Sequence, residues 1–383
     1  MTGFGHARRA DFMLTDGVLH LNHGGFGATP VPVLDAAAGW RVRMEADPTT
    51  FFRRDLAAQL RHSAERVAGL CGGVASDWVF VENATAGTNA IVAALGLAQG
   101  DEILCLSQVY GALANTLAYH SGRSGARIVM VDVPVPFIDP APLLASLDAA
   151  LGPRTRLAVL DHVTSAGAVV LPVAEMAALC RAAGVPVAID GAHAPGMLPL
   201  DVPALSVDWY VGNLHKWAFA SKGTGVLWCA PARQAELHPL AISHGLGAGF
   251  TAEFDYTGTR DNSGWLAVPE ACDYLEGLGL AELQRRNREL AAEAGAMLAA
   301  AWGTETAASP KFAGAMASVR LPGRFADEPG AARRVAAQLY DEHSVVAGIM
   351  RLDGRLWLRV SAQVYNDAQD YRPLYDLGRR LGE

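Results

Sequence analysis

Seven short apolar or β-branched runs, separated by longer stretches compatible with helix, fill the middle of this 383-residue chain, at 78–81, 102–106, 127–131, 157–160, 185–189, 209–211 and 225–228. Such alternation permits few packings. Strands joined through helical crossovers line up in a parallel or mixed sheet that must be covered on both faces. The spacing predicts an α/β fold with one large domain over roughly residues 45–265 and a mostly parallel sheet. Past Pro269 the pattern changes to long helical stretches at 281–302 and 331–343, then a strand candidate at 356–360. Residues 266–383, joined by residues 1–44, are expected to form a smaller α+β domain.

Hydrophobic residues make up 51% of the chain and charged residues 18%, the balance of a compact protein. A net charge of −8 argues against a surface built for a phosphate backbone, so nucleic acid is an unexpected partner. Apolar stretches such as 90–98 are too short to span a bilayer, which points away from the membrane. The five cysteines, Cys71, Cys105, Cys180, Cys229 and Cys272, are scattered and form no Cys-x-x-Cys pair, so no metal site is expected. Reduced thiols and an N-terminal segment without a continuous apolar core lead to the expectation of a cytoplasmic protein.

Lysine is nearly absent: Lys216, Lys222 and Lys311 are the only three. Arginine serves as the ordinary surface cation, so a lysine held next to His215 and Trp217, just after the apolar run ending at Val211, is a candidate for amine chemistry that a guanidinium cannot perform. Upstream, the run 185–189 ends on Asp190-Gly191-Ala192-His193. In open α/β sheets ligands bind where strands end, which is where Asp190 and the segment before Lys216 would lie. A third stretch, Asn83-Ala84-Thr85-Ala86-Gly87-Thr88-Asn89, follows one strand candidate and opens a helical segment. Its small residues suit a phosphate at the positive end of a helix, although Thr85 could equally serve as a plain helix cap. It matches neither a P-loop nor a dinucleotide fingerprint. A carboxylate, an amine and a phosphate cradle together point to pyridoxal phosphate, with Lys216 on the aldehyde and Asp190 facing the pyridine nitrogen. Singly, each has a plainer reading, Lys216 as a solvated side chain and Asp190 as a turn residue.

The chain resembles the class V aminotransferase-like enzymes of pyridoxal phosphate fold type I, in particular their isopenicillin N epimerase-like branch. The resemblance rests on Leu21-Asn22-His23-Gly24-Gly25-Phe26-Gly27, Asn83-Ala84-Thr85, Val109-Tyr110-Gly111-Ala112, Asp161-His162-Val163-Thr164-Ser165, Asp190-Gly191-Ala192-His193, Gly212-Asn213-Leu214-His215-Lys216-Trp217, Gly258-Thr259-Arg260-Asp261 and Arg359-Val360-Ser361. It implies that Lys216 holds the cofactor aldehyde and moves the substrate α-proton, that Asp190 keeps the ring nitrogen protonated, and that His193 bonds the phenolic oxygen. Tyr110 would lie on the ring face. Thr85, the Ala86 amide, Asn213 and His215 would hold the phosphate, with Thr259 completing that site from the other subunit of a homodimer. Arg359 would take the α-carboxylate of a small amino-acid substrate. Asn22 and His23 are candidates to face the substrate, although His23 could instead only brace its turn. The resemblance implies an epimerase or racemase, with a carbon–sulfur lyase acting on a cysteine conjugate or sulfoxide, or an aminotransferase, as alternatives. Related cysteine desulfurases use a mobile cysteine shortly before the carboxylate-binding arginine, and residues 343–358 contain none.

Overall fold

The computed structural model describes residues 3–322 and 328–380. Its strands are β1 (Leu19–His20), β2 (Trp78–Val81), β3 (Glu102–Leu106), β4 (Arg127–Val131), β5 (Thr155–Asp161), β6 (Val187–Gly191), β7 (Trp209–Asn213), β8 (Gly225–Cys229), β9 (Met316–Arg320), β10 (Val345–Val346), β11 (Gly348–Leu352) and β12 (Arg355–Ser361). Seven of them form one sheet in the order β2-β8-β7-β6-β5-β3-β4. From β7 to β4 all neighbours are parallel, and β8 runs antiparallel to both β7 and β2.

Side chains alternate across this sheet, and both faces are apolar. In β3, Leu104 and Leu106 point to one side, where they join Leu60, Val67, Leu147 and Met176 of the covering helices. Ile103 and Cys105 point to the other, toward Ile91, Leu113 and Leu117. Both faces need this cover, because each large apolar side chain contributes about 1.5–3 kcal/mol only when water is excluded. The runs therefore read as nearly continuous apolar segments rather than as half-polar strands.

A second, three-stranded antiparallel sheet has the order β11-β12-β9. The helix Leu280–Trp302 lies on it, burying Leu283, Leu290, Ala294 and Leu298 on one stripe. The approach is close at Gly295, where a β-carbon would come within 2.8 Å of the Ala317 methyl. The N-terminal β1 pairs with β10, tying the first residues to this part of the chain. Among the described residues, no helix is long and apolar enough to cross a membrane.

Candidate active site

Three neighbouring parallel strands, β5, β6 and β7, carry polar side chains at or next to their ends. Asp161 closes β5 and is in register with Asp190 near the end of β6, while Asn213 closes β7. Beyond these ends lies a cavity of about 490 Å³ whose wall includes Thr85, Tyr110, Asp190, His193, Asn213, His215 and Lys216. Asp161 and Lys222 also line it, so two of the chain's three lysines share one cavity. Gly225, paired with both Val81 and Asn213, lets the Asn83 backbone approach, where a β-carbon would lie 2.6 Å from the Asn83 Cα.

The helix Ala84–Ala94 opens onto the cavity, but its cap is Asn83 rather than Thr85. The Asn83 side chain accepts the Ala86 N–H at 2.9 Å, and the Ala84 N–H goes to Asn213 Oδ1 at 2.9 Å. The Ala86 amide, expected on the phosphate, is therefore committed to the cap. Thr85 remains on the wall beside the helix terminus. His215 donates from Nδ1 to the Thr224 carbonyl at 3.1 Å. Burial, then Lys216, lowers its pKa to about 4, so Nε2 carries a lone pair unless a nearby anion draws a proton onto it.

The Lys216 turn is braced from the N-terminal segment. His23 is fully buried, donates from Nε2 to the Lys216 carbonyl at 2.9 Å, and accepts the Tyr365 hydroxyl at Nδ1 at 3.0 Å. Both ring nitrogens are thus occupied and His23 does not line the cavity, which places it as the brace of its turn and not against a substrate. Gly27, at φ 73°, sits where any β-carbon would strike the His215 carbonyl. Asn22 likewise faces a side chain of the protein, accepting Arg359 Nη2 at 3.1 Å.

Arg359, on β12, is 4% exposed and reaches toward the sheet ends from the smaller sheet. Nη1 donates to the Ser165 carbonyl and hydroxyl at 2.7 and 3.3 Å, Nη2 is held by Asn22, and Nε has no partner. Burial lowers its pKa to about 10, with a counter-effect from Tyr110 beside it. The guanidinium is fixed in place and still charged at neutral pH, with N–H groups to spare, although Arg359 itself is not on the cavity wall. Tyr110, at the start of the helix Gly111–Ser124, is 48% exposed. Thr259 is exposed and outside this chain's own cavity, with its hydroxyl 3.3 Å from that of Tyr256.

Lys216 Nζ lies 3.2 Å from His193 Nε2. Burial and then Arg359 bring its pKa down to about 8, against a smaller opposing pull from Asp190. Asp190 is buried, accepts the Ala192 N–H at 3.0 Å, and has its pKa raised by burial. Asp161 is raised well above the usual carboxyl range, by burial first and by Asp190 second, and its Oδ2 has no hydrogen-bond partner. A carboxyl whose folded pKa is raised binds its proton more tightly in the folded state, so its contribution is intact at low pH and is lost as pH rises through the elevated value. Asp161→Asn is therefore expected to gain stability relative to the parent as pH rises from the ordinary carboxyl range toward the elevated value. Melting curves from pH 5 to 9 read this; a gap between the two proteins that closes with rising pH would contradict it.

These residues fit pyridoxal phosphate. The cavity offers an amine, a carboxylate near a strand end and, by the terminus of the helix Ala84–Ala94, the polar side chains of Thr85, Asn213, His215 and Lys222 for a phosphate. Asp161 and Lys222 are additions. Nothing in the local pattern around Asp161 marked a role for it, whereas the scarcity of lysine was a signal that applied to Lys222 as much as to Lys216.

The family model for class-V aminotransferases matches residues 28–370. The chain is 33% identical to isopenicillin N epimerase of Streptomyces clavuligerus, over 96% of each chain. It is 30% identical to L-cysteine desulfhydrase of Arabidopsis thaliana, over 94% of this chain and 87% of that one. In three dimensions it is similar to the cysteine desulfurase of Thermococcus onnurineus NA1 in its apo form, with a TM-score of 0.82 at 19% identity, covering 100% of this chain and 98% of that one. The fold is thus that of fold type I enzymes, as the strand pattern and the resemblance imply. On the match across most of its length and on these relatives, the chain belongs to the class-V aminotransferases, a family of pyridoxal phosphate enzymes.

Proposed function

We propose that this protein is a pyridoxal phosphate enzyme that removes the α-proton of an amino acid and returns a proton to the same carbon, an epimerase or racemase. The observation that supports this reading best is that two groups able to carry a proton, the Lys216 amine and the Tyr110 phenol, reach one cavity from separate elements, with Arg359 beside Tyr110. The cofactor, when bound, supplies the sink for the electron pair left on the α-carbon. Lys216 holds the aldehyde and then takes the α-proton at Nζ, for which its lowered pKa suits it. Asp190 would keep the ring nitrogen protonated, and His193 would be the partner of the phenolic oxygen. Thr85, Asn213 and His215, with Lys222 at the rim, hold the phosphate. Arg359 orients the substrate through its α-carboxylate, and Tyr110 returns the proton.

A carbon–sulfur lyase is the second reading, and the sealed position of His23 favours it. With both nitrogens of His23 engaged, Tyr110 is left as the proton donor opposite Lys216, whereas β-elimination asks for no second donor. A persulfide-forming desulfurase gains no support. All five cysteines are buried and none lines the cavity. Burial also pushes the Cys105, Cys180 and Cys272 thiols up to about 11.

We further propose a homodimer in the cytoplasm. Thr259 is exposed, which is compatible with service to a neighbouring subunit, and Phe26, Leu240 and Ile242 add exposed apolar surface for a partner copy to cover.

Product analysis with single enantiomers of amino acids and cysteine conjugates separates the readings. Loss of chirality with the amino acid intact is the expected result. Pyruvate with ammonia would replace it by the lyase, and a keto acid without ammonia by transamination.

A further inference from the structure

Trp217 stands behind the cavity, yet it decides where one proton sits on the wall. Its indole N–H donates to His193 Nδ1 at 3.3 Å, and His193 Nε2 lies 3.2 Å from Lys216 Nζ. An indole nitrogen only donates, so Nδ1 must present its lone pair. His193 is 3% exposed and neutral, because burial above all, then Lys216, Arg359 and His215, hold its pKa well below the ordinary value. A neutral imidazole carries one N–H, and with Nδ1 accepting, that hydrogen is on Nε2 and points at Lys216. An ammonium there has only donors to offer and would meet the Nε2 hydrogen head-on. A free amine accepts it.

We propose that Trp217 is a positioning residue: by fixing the tautomer of His193, it holds the Lys216 amine as a hydrogen-bond acceptor, the unprotonated form able to attack an aldehyde. The purpose of this arrangement rests on the pyridoxal phosphate reading, but the proton position does not. Trp217 is held in place by its surroundings. It is 1% exposed in a cluster with Val163, Met197 and Met316, and its ring centroid is 5.0 Å from that of His23. Gly196, at φ 84°, makes room for its carbonyl, which a β-carbon would contact. Asp190 and Arg359 also face Lys216, the first favouring the ammonium and the second opposing it. Neither changes when Trp217 is replaced, so the effect of Trp217 can be read separately.

Nitrogen-labelled histidine and lysine in the cofactor-free full chain test this by NMR. The three lysines give three signals, assigned with Lys222→Arg and Lys311→Arg. The expected wild-type result is His193 as the Nε2–H tautomer, with Lys216 titrating near pH 8. In Trp217→Phe the ring is free to move its proton to Nδ1, and the Lys216 midpoint rises by about one pH unit or more, a tenfold change in the protonation equilibrium. His193→Gln retains the low midpoint, because its amide oxygen can accept from Trp217 while its amide nitrogen donates to Lys216. An Nδ1–H tautomer in the wild type would overturn the inference, as would an unchanged Lys216 midpoint in a folded Trp217→Phe. If Trp217→Phe fails to fold, the wild-type tautomer decides alone. Failure of the cofactor reading shows separately, as no visible absorption band when pyridoxal phosphate is added to the wild type.

Discussion

Lys216→Ala is expected to lose turnover by at least about 10³-fold while remaining folded, since the loss of a positioned acid–base group alone costs about 10²–10⁴-fold. The site concentrates two tasks on one atom, because Nζ both engages the cofactor and moves the α-proton. The lysine pKa is lowered from 10.5 to about 8, by burial first, so in the folded state its charged form is disfavoured; the penalty builds as pH falls from 10.5 toward about 8 and is fully present below that. Removing the amine also removes the penalty, so the melting temperature should hold or rise at neutral pH. Steady-state rates and a melting curve on the same preparation check both halves. A variant that keeps a tenth of its activity would place the proton transfer elsewhere.

Arg359→Leu is expected to raise KM by about 10- to 150-fold, the equivalent of about 1.5–3 kcal/mol for hydrogen bonds to a charged group. The effect should fall mainly on KM, since the carboxylate is held equally before and during proton removal. Arg359→Lys should recover little, because Ser165 and Asn22 fix a planar fork that an ammonium cannot reproduce. If both variants leave KM unchanged and lower only the rate, Arg359 orders the Asn22–Ser165 contact and the carboxylate binds elsewhere.

Much of the sheet was legible because buried parallel strands are written as apolar runs. β2, β3 and β4 begin and end where the pattern placed them. β5, β6 and β7 run on to Asp161, Gly191 and Asn213, polar or small residues that end an apolar run in the sequence although the backbone remains paired. β9 and β11 were not singled out. Ser318 interrupts β9 and Arg351 interrupts β11, and β11 is a half-buried edge strand packed on one side.

At the site, a scarce residue type and one strand-end carboxylate, Asp190, pointed to one cavity. Choosing Asn83 over Thr85 as the cap was beyond sequence, since both are capping types and one turn accommodates either. His23 and Asn22 reach partners 193 to 342 residues away, so their bracing roles left no local trace. Trp217 looked like part of a motif, and only the direction of its indole N–H gives it a function of its own.

The central claim is that Lys216 removes the α-proton of an amino acid held by Arg359. Proton NMR of the cofactor-loaded protein in deuterated water, with a panel of amino acids and cysteine conjugates, tests it most directly. The account predicts that the α-proton signal of at least one substrate disappears as deuterium enters, and that it persists with Lys216→Ala. An α-proton that stays in place across the whole panel with wild-type protein carrying bound cofactor would contradict it.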